Sequence, residues 1–263
     1  MSRITFTSKK SNLSKWLIII LLIAFIIIFI IVIVKKYNTH KHIELFENNK
    51  KYDGGLNNVD KILFINLETR KDRLESITSE LKKQNVSEDK IHRINAHYTP
   101  GNGHLGCSKS HYDALQYAID NDLNNVLIFE DDFLFSSSSK DLFDNLFNQV
   151  DSKEWDVVLL TYSWANTSDS KYPFLNKLND AQSGAGYIVN KHYFKTLQDV
   201  FKESADNMTQ EKTSKVDYEP YALDQLWKRL QKKDNWFCFN PLLGKQDDKS
   251  TSTIQSITNY KEK

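Results

Sequence analysis

Three consecutive acids, Glu130, Asp131 and Asp132, directly follow an apolar run at residues 126–129. Such a run predicts a strand covered on both faces, and open α/β sheets bind ligands at the carboxyl ends of their strands. On a strand, Glu130 and Asp132 would point to one face and Asp131 to the other. Packing three carboxylates together costs free energy because their like charges repel and raise one another's pKa. A bound Mg²⁺ or Mn²⁺ would remove that repulsion. We therefore expect a cation site able to hold a departing diphosphate; the alternative is a solvated acidic turn.

Two arginines and one histidine are further candidates for this chemistry. Arg70 and Arg73 fall in the first turn of a helix expected over residues 69–84, where positive charge opposes the helix dipole. A bound phosphate would reverse that penalty, and the alternative is two solvated arginines. His111 lies on the apolar side of a second helix, expected over residues 108–122. It is either a catalytic group or a hydrogen-bonded core residue.

The elements that must position these residues alternate between strand and helix. Strands are expected over residues 61–67, 91–96 and 126–132, with the two helices between them. A loop rich in turn residues, 99–107, precedes the second helix. This β-α-β-α-β order predicts an α/β fold.

The second half of the domain continues the pattern. Small residues 183–186, including Gly184, would allow a ligand or another backbone to approach closely. A late amphipathic helix, 217–231, carries Asp224. The remaining expectations are a helix over 140–150, a strand over 155–160, a long polar loop over 161–183, a strand over 187–189, a helix over 191–202, a mobile segment over 203–216, a strand over 236–239 and a poorly ordered tail from Gly244.

An unbroken apolar run occupies residues 16–34. As a helix it would span about 28 Å, close to the hydrocarbon thickness of a bilayer, and it is too long for a signal-peptide core. We interpret it as a transmembrane signal anchor rather than a buried core helix. A slight basic excess before the run favours a type II single-pass protein with its C-terminal domain luminal or exoplasmic. The expected organisation is a tail (1–15), the anchor (16–34), a stem (35–59), a folded domain (60–246) and a polar tail (247–263).

Composition narrows the classes of function. Lys and Arg (35) nearly balance Asp and Glu (34), for a net charge of +1, which disfavours a nucleic-acid partner. The cysteines Cys107 and Cys238 could form one bridge or stay free, and no Cys/His cluster has zinc-finger spacing. Asn85, Asn166 and Asn207 begin sequons that a luminal domain would expose to glycosylation.

Several of these segments, in this order, resemble glycosyltransferase family 25, which includes lipooligosaccharide β-galactosyltransferases and procollagen galactosyltransferases. The resemblance covers most of residues 61–254. The segments that carry it are Ile65-Asn66-Leu67 with Arg70 and Arg73, Gly106-Cys107-Ser108-Lys109-Ser110-His111, Phe129-Glu130-Asp131-Asp132, Gly184 to Ile188, Asp224, and the closing Pro241, Gln246 and Ser252.

The resemblance implies a GT-A-like, Rossmann-type nucleotide-sugar fold with a mixed central sheet, a divalent metal and an inverting hexose transfer from UDP-galactose. It implies that Asp224 is the general base, aided by His111. The donor would contact Asn66, Arg70, Arg73, Asp131 and Gly184, and Mn²⁺ or Mg²⁺ would bind Glu130, Asp131 and Asp132. The acceptor would be a glycan or a hydroxylysine-type protein group. The tail lacks a clear histidine metal ligand, which departs from the family pattern.

Two other functions fit the same residues. The chain could be a catalytically inactive glycan-binding membrane protein of this fold, or a metal-dependent phosphohydrolase that uses the same acids.

Overall fold

The structure, a computed structural model, describes residues 9–47, 51–210 and 219–247. The chain divides into two compact units, residues 1–51 and 52–263. Within the described residues, the first unit is one helix, α1 (Lys9–Glu47). Its segment Ile18–Lys36 is 19 residues long, with a mean hydropathy of 3.6 and none of it buried. By length and composition this segment could cross a membrane, and an N-terminal signal sequence would meet the same criteria.

The second unit is built around an eight-stranded mixed sheet in the order β2-β1-β3-β8-β5-β9-β7-β6. Strand β1 pairs in parallel with both β2 and β3, whereas β8 runs antiparallel to β3 and β5. The strands are β1 (Lys61–Asn66), β2 (Ile91–Asn95), β3 (Asn125–Glu130), β4 (Phe133–Phe135), β5 (Val157–Leu159), β6 (Trp164–Asp169), β7 (Leu175–Gln182), β8 (Gly186–Asn190), β9 (Trp236–Phe239) and β10 (Gly244–Gln246). The expected α/β fold with a mixed central sheet is confirmed.

Helices cover both faces of this sheet. They are α2 (Lys71–Lys83), α3 (Gly103–Asp120), α4 (Lys140–Gln149), α5 (Phe194–Gln210), α6 (Leu223–Leu226) and α7 (Lys228–Gln231). Alternate residues of β1 enter opposite core clusters: Leu63 and Ile65 in one, Ile62 and Phe64 in the other. Burial on both sides explains why β1 and β3 are apolar runs rather than alternating strands.

The expected long loop over residues 161–183 is wrong. Strands β6 and β7 form an antiparallel pair there, and β6 is the last strand of the sheet. Only Leu175, Leu178 and Ala181 of β7 are buried, so most of the pair faces solvent and is polar in sequence. An edge hairpin of this kind has the composition of a loop.

Helix boundaries also differ from expectation. Helix α3 begins at Gly103 rather than 108, because the Asn102 side chain caps it by accepting a hydrogen bond from the Leu105 amide (3.0 Å). Gly106, expected in a turn, lies inside this helix, where a Cβ would be 2.4 Å from the His97 carbonyl oxygen. The helix expected over 217–231 is instead a 3-10 turn (Glu219–Tyr221) followed by α6 and α7, within the described residues. Helix α5 extends to Gln210, into the expected mobile segment, of which residues 211–216 lie outside the described part.

Within the described residues, two segments expected to lie outside the ordered core, 56–59 and 244–246, are part of the folded unit. Leu56 and Val59, placed in the predicted stem, are buried in the core. The expected polar tail from Gly244 begins with β10, which pairs antiparallel with β4. The last family-like residue, Ser252, lies outside the described residues.

We predict that Gly186→Ala destabilises the fold by about 1–3 kcal/mol, because overpacking a full core forces side chains out of position. A Cβ at Gly186 would lie 2.7 Å from the ring of Phe133, which is fully buried and cannot move aside. Thermal unfolding of the full chain in detergent, followed by near-ultraviolet circular dichroism, measures the effect. The matched control is Gly184→Ala, whose Cβ would make only ordinary contacts from 3.5 Å. Equal melting temperatures for the two variants would contradict this packing.

Candidate active site

The acids follow the end of β3, as expected, and β1 places a partner beside them. Ile65 of β1 lies in register with Glu130, so Asn66 and Asp131 come next to each other at the carboxyl ends of two parallel strands. Asn66 is buried, and its Nδ2 donates to Asp131 Oδ2 (2.7 Å) and to the Arg70 carbonyl (3.0 Å). Its Oδ1 is buried without a hydrogen-bond partner among the described residues.

Asp131 has an arginine as its counter-charge, and its role as a metal ligand remains a prediction. Arg73 Nη1 lies 2.9 Å from Asp131 Oδ1 and 3.2 Å from Asp132 Oδ2, and both Arg73 and Asp131 are buried. Burial raises the pKa of Asp131, although the hydrogen bonds from Asn66 and Arg73 oppose the rise. Because both of its oxygens already accept hydrogen bonds, Asp131 is best placed to hold α2 against the sheet.

The two predicted phosphate-binding arginines therefore have different surroundings. Arg73 faces the acids, whereas Arg70 makes a two-pronged ion pair with the exposed Asp72 (3.0 and 2.7 Å). This bond is the main cause of the low pKa of Asp72, about 2. The Arg70 side chain is 20% exposed and stays within reach of a solvent-borne ligand. A role for either arginine in binding a phosphate remains a prediction.

Asp132 is the acid that best fits a metal ion. Its Oδ1 is buried and has no hydrogen-bond partner among the described residues. Burial, and then the negative charge of Glu130, raise its pKa to about 7. A buried carboxylate oxygen with an unmet bonding demand suits a hard divalent cation, which favours the ionised form.

Glu130 belongs to a separate cluster on α3 and β8. His111 Nε2 lies 3.3 Å from Glu130 Oε1, and Cys107 Sγ lies 3.6 Å from the same oxygen. The other ring nitrogen of His111 is 2.7 Å from the Tyr187 hydroxyl, and both rings are fully buried. Burial alone would raise the pKa of Glu130, but the bonds from His111 and Cys107 lower it below its ordinary value. His111 is therefore the hydrogen-bonded core residue of the two interpretations, and it orients Glu130.

Asp224 is held at the start of α6 by a strained residue. The Ser183 amide donates to Asp224 Oδ2 (3.0 Å), and Ser183 adopts φ +96°, a conformation rare outside glycine. Burial raises the pKa of Asp224, and the charge of Glu130 adds to the rise. The Ser183 hydroxyl also bonds Gln246 Oε1 (3.2 Å), whose amide donates to Glu130 Oε2 (3.2 Å). The end of β10 thus joins the two acids.

A cavity of about 160 Å³ lies between these groups. Its lining residues are His104, Cys107, Glu130, Ser163, Ser183, Gly184, Ala222, Leu223, Asp224 and Gln246. A Cβ at Gly184 would meet His111 and Leu223 only at 3.5 Å, so no clash in the protein itself demands glycine there.

The structure thus brings Glu130, Gly184 and Asp224 to one cavity. Asn66, Arg73 and Asp131 form the buried ion-pair group beside it. Sequence reasoning missed His104, Cys107, Ser163 and Gln246 as lining residues, and it included Ser183 only among the small residues 183–186 that would let a ligand approach. Cys107 and Gln246 carried a signal, since both stand in the family-like segments. Both cysteines are free.

Comparison with known proteins decides the family. The model of glycosyltransferase family 25 (LPS biosynthesis protein) matches residues 84–218, just over half of the chain. The chain belongs to glycosyltransferase family 25. Human procollagen galactosyltransferase 2 is 26% identical over 38% of this chain and 20% of its own length. The family 25 chain described here therefore spans about a fifth of that curated relative.

Solved glycosyltransferase structures show more distant likeness to this family 25 chain. Apo GlyE from Streptococcus pneumoniae TIGR4 matches with a TM-score of 0.39 and 12% identity, covering 68% of this chain and 44% of GlyE. The Drosophila β1,4-galactosyltransferase 7 mutant matches with a TM-score of 0.34 and 13% identity, covering 77% of this chain and 80% of its own.

We predict that Arg73→Ala destabilises the second unit by about 3–5 kcal/mol, because it leaves buried carboxylates without a counter-charge. Adding Asp131→Asn should restore part of the loss, and the double-mutant cycle measures the coupling between the two side chains. Chemical denaturation of the full chain in detergent gives the unfolding free energies. The matched control is Arg70→Ala, which breaks the ion pair with the exposed Asp72 and should cost far less. Additive losses in the cycle would show that Arg73 does not neutralise Asp131.

Proposed function

We propose that this chain is a membrane-anchored, cation-dependent glycosyltransferase that moves a hexose from a UDP-sugar, with inversion, to a glycan or hydroxylysine-type acceptor. Membership of family 25 supports the transfer reaction, and the name of the human relative supports galactose as the sugar. The observation that carries the proposal is the cavity that Glu130 and Asp224 line together, with Asp132 two residues after Glu130 and carrying a buried oxygen that has no hydrogen-bond partner among the described residues.

The donor diphosphate is assigned to the acidic end of β3. Asp132 and Glu130 would hold Mn²⁺ or Mg²⁺, and Asp131 would position Arg73 rather than ligate the ion. When bound, the cation neutralises the charge that develops on the departing nucleotide. Arg70, Asn66 and Gly184 lie near the carboxyl end of β3 and are assigned to binding the sugar donor. For Asn66 the support is its buried Oδ1, which has no hydrogen-bond partner among the described residues.

Asp224 is assigned the role of general base. As the acceptor hydroxyl oxygen bonds to the anomeric carbon, its proton passes to the Asp224 carboxylate and the bond to UDP breaks. The raised pKa of Asp224 makes it a stronger proton acceptor than an ordinary aspartate, and the Ser183 amide fixes its orientation. Inversion requires a base on the face opposite the leaving group, and one carboxylate suffices. His111 acts through Glu130 and is a positioning residue.

Two variants separate these roles. Asp224→Asn should lower transfer by about 10²–10⁴-fold, the usual contribution of a general base, while Mn²⁺-dependent UDP binding is unchanged. Asp132→Asn should abolish both transfer and Mn²⁺-dependent UDP binding. The experiment supplies full-length protein in detergent with UDP-sugars and an acceptor panel, with and without Mn²⁺, and measures sugar transfer and UDP affinity.

Asp169→Asn is the control, because Asp169 is an exposed acid on β6 that does not line the cavity. Full transfer by Asp224→Asn would remove that residue from the mechanism. Release of phosphate from simple esters, with no sugar transfer, would favour the phosphohydrolase alternative.

The N-terminal unit is assigned to membrane anchoring, with the second unit luminal or exoplasmic. The support is the apolar, fully exposed segment Ile18–Lys36 and the basic residues that precede it.

Full-length chain made with microsomes should resist alkaline carbonate extraction, and deletion of residues 18–36 should release it. Protease added outside the vesicles should leave the second unit intact. Asn85 and Asn166 are exposed sequon positions, so a luminal second unit should also gain glycans that Asn85→Gln and Asn166→Gln remove. Digestion of the second unit in sealed vesicles would reverse the proposed orientation.

A further inference from the structure

One side-chain cluster on the cavity wall has the composition of a transition-metal site. Cys107, His111 and Glu130 each offer a ligand atom, and these three atoms lie within 4.8 Å of one another. Cys107 and His111 are four residues apart on α3, so they share one face of the helix, which packs against the end of β3. The sequence shows no local zinc-binding motif, because the third ligand, Glu130, comes from β3, 19 residues after His111.

The two separations that involve Glu130 match those of ligands around one tetrahedral ion, and the third pair, Cys107 and His111, has its ligand atoms within 4.8 Å of each other. Zinc binds sulfur at about 2.3 Å, imidazole nitrogen at about 2.0–2.1 Å and carboxylate oxygen at about 2.0–2.2 Å. Tetrahedral angles then place nitrogen and oxygen about 3.4 Å apart, and sulfur and oxygen about 3.6 Å apart. The corresponding distances to Glu130 Oε1 are 3.3 Å from His111 Nε2 and 3.6 Å from Cys107 Sγ.

The surroundings of His111 permit the tautomer that a metal requires, in place of the one that donates from Nε2 to Glu130. Its Nδ1 is 2.7 Å from the Tyr187 hydroxyl, which can accept a hydrogen bond from Nδ1–H in the tautomer whose Nε2 carries no proton. Metal-binding histidines usually have such an outer partner, which fixes the ring orientation. Cys107 and Glu130 also line the cavity, so a water or a ligand can reach the fourth position.

We propose that Cys107, His111 and Glu130 bind a thiophilic divalent cation, Zn²⁺, at a site separate from the hard cation assigned to Asp132. A thiolate and an imidazole select Zn²⁺ over Mg²⁺ and Mn²⁺. Binding displaces the thiol proton to solvent, and no electron is transferred. A further consequence rests on the proposed function. When Zn²⁺ binds Glu130, this carboxylate can no longer ligate the Mn²⁺ or Mg²⁺ that holds the sugar donor, and transfer is inhibited.

Cobalt substitution tests the binding directly, because a cobalt–thiolate bond has a charge-transfer absorption that oxygen and nitrogen ligands alone do not give. Untagged full-length protein in detergent is titrated with Co²⁺ in the absence of donor. The wild type should show this absorption and lose it on addition of Zn²⁺. Cys107→Ala should lack the absorption and bind Zn²⁺ about 100-fold more weakly or worse, since even an outer-partner loss costs 10–100-fold.

Cys238→Ala is the matched control, because Cys238 is the other free cysteine and lies in β9. It should keep the absorption. Tyr187→Phe should keep the absorption while weakening Zn²⁺ binding, by about 10-fold or more. Absence of the absorption in the wild type, or its persistence in Cys107→Ala, would overturn the site and leave Cys107 and His111 as hydrogen-bond donors to Glu130.

Transfer assays provide a second, separate readout. Zn²⁺ should inhibit the wild type at concentrations that do not lower the rate of Cys107→Ala below its own zinc-free rate in Mn²⁺. Equal inhibition of both proteins would overturn the competition for Glu130. The cobalt spectrum needs no sugar donor, so a failed transfer assay with an intact spectrum would count against the proposed function and not against the zinc site.

Discussion

The crowding of negative charge at the end of β3 is the constraint to which the rest of the second unit is fitted. Three adjacent carboxylates in a largely buried position would oppose folding if each stayed ionised without a partner. The structure meets each acid differently. Asp131 has Arg73, Glu130 has hydrogen-bond donors on α3 and β10, and Asp132 shares Arg73 but keeps one oxygen without a hydrogen-bond partner among the described residues. Of the three acids, Asp132 is therefore the one whose buried oxygen a bound cation would stabilise most.

The fold delivers those partners from distant parts of the chain. Parallel pairing of β1 with β3 places Asn66 beside Asp131, and the short connection into α2 brings Arg73 over both acids. Strand β10 pairs with β4, which begins directly after Asp132, and this pairing returns Gln246 to Glu130. The same glutamine accepts from Ser183, whose amide holds Asp224. Glu130 and Asp224 are therefore linked through Gln246 of β10 and Ser183.

Much of this framework could be predicted from sequence, and the exceptions share a physical cause. Runs such as those of β1, β3 and β9 were identified because burial on both faces leaves an unmistakable apolar pattern. The β6–β7 pair was missed because its sheet-edge position leaves most side chains in water, so its sequence resembles a loop. The first turn of α3 was missed because glycine, here Gly103 and Gly106, is typical of turns. Gly106 instead lies within the helix, where the absence of a side chain allows close approach to the His97 carbonyl. The residue types at the site could be recognised from the sequence, but their contacts could not. No local sequence pattern shows that Arg73 contacts Asp131 or that Tyr187 contacts His111.

The position of Glu130 explains why two kinds of cation chemistry can exist in one cavity. Its Oε1 is directed to the sulfur and nitrogen donors of α3, whereas its Oε2 accepts a hydrogen bond from the Gln246 amide. A hard ion on the diphosphate side needs oxygen ligands, which Asp132 and Oε2 supply; a thiophilic ion needs Cys107 and His111, which only Oε1 approaches. The single negative charge of Glu130 cannot fully stabilise two cations at once. Zn²⁺ bound at Cys107 and His111 would therefore weaken the binding of a hard cation at Asp132. Under the two proposals, Glu130, which contacts the buried His111, is the residue for which the two cations would compete.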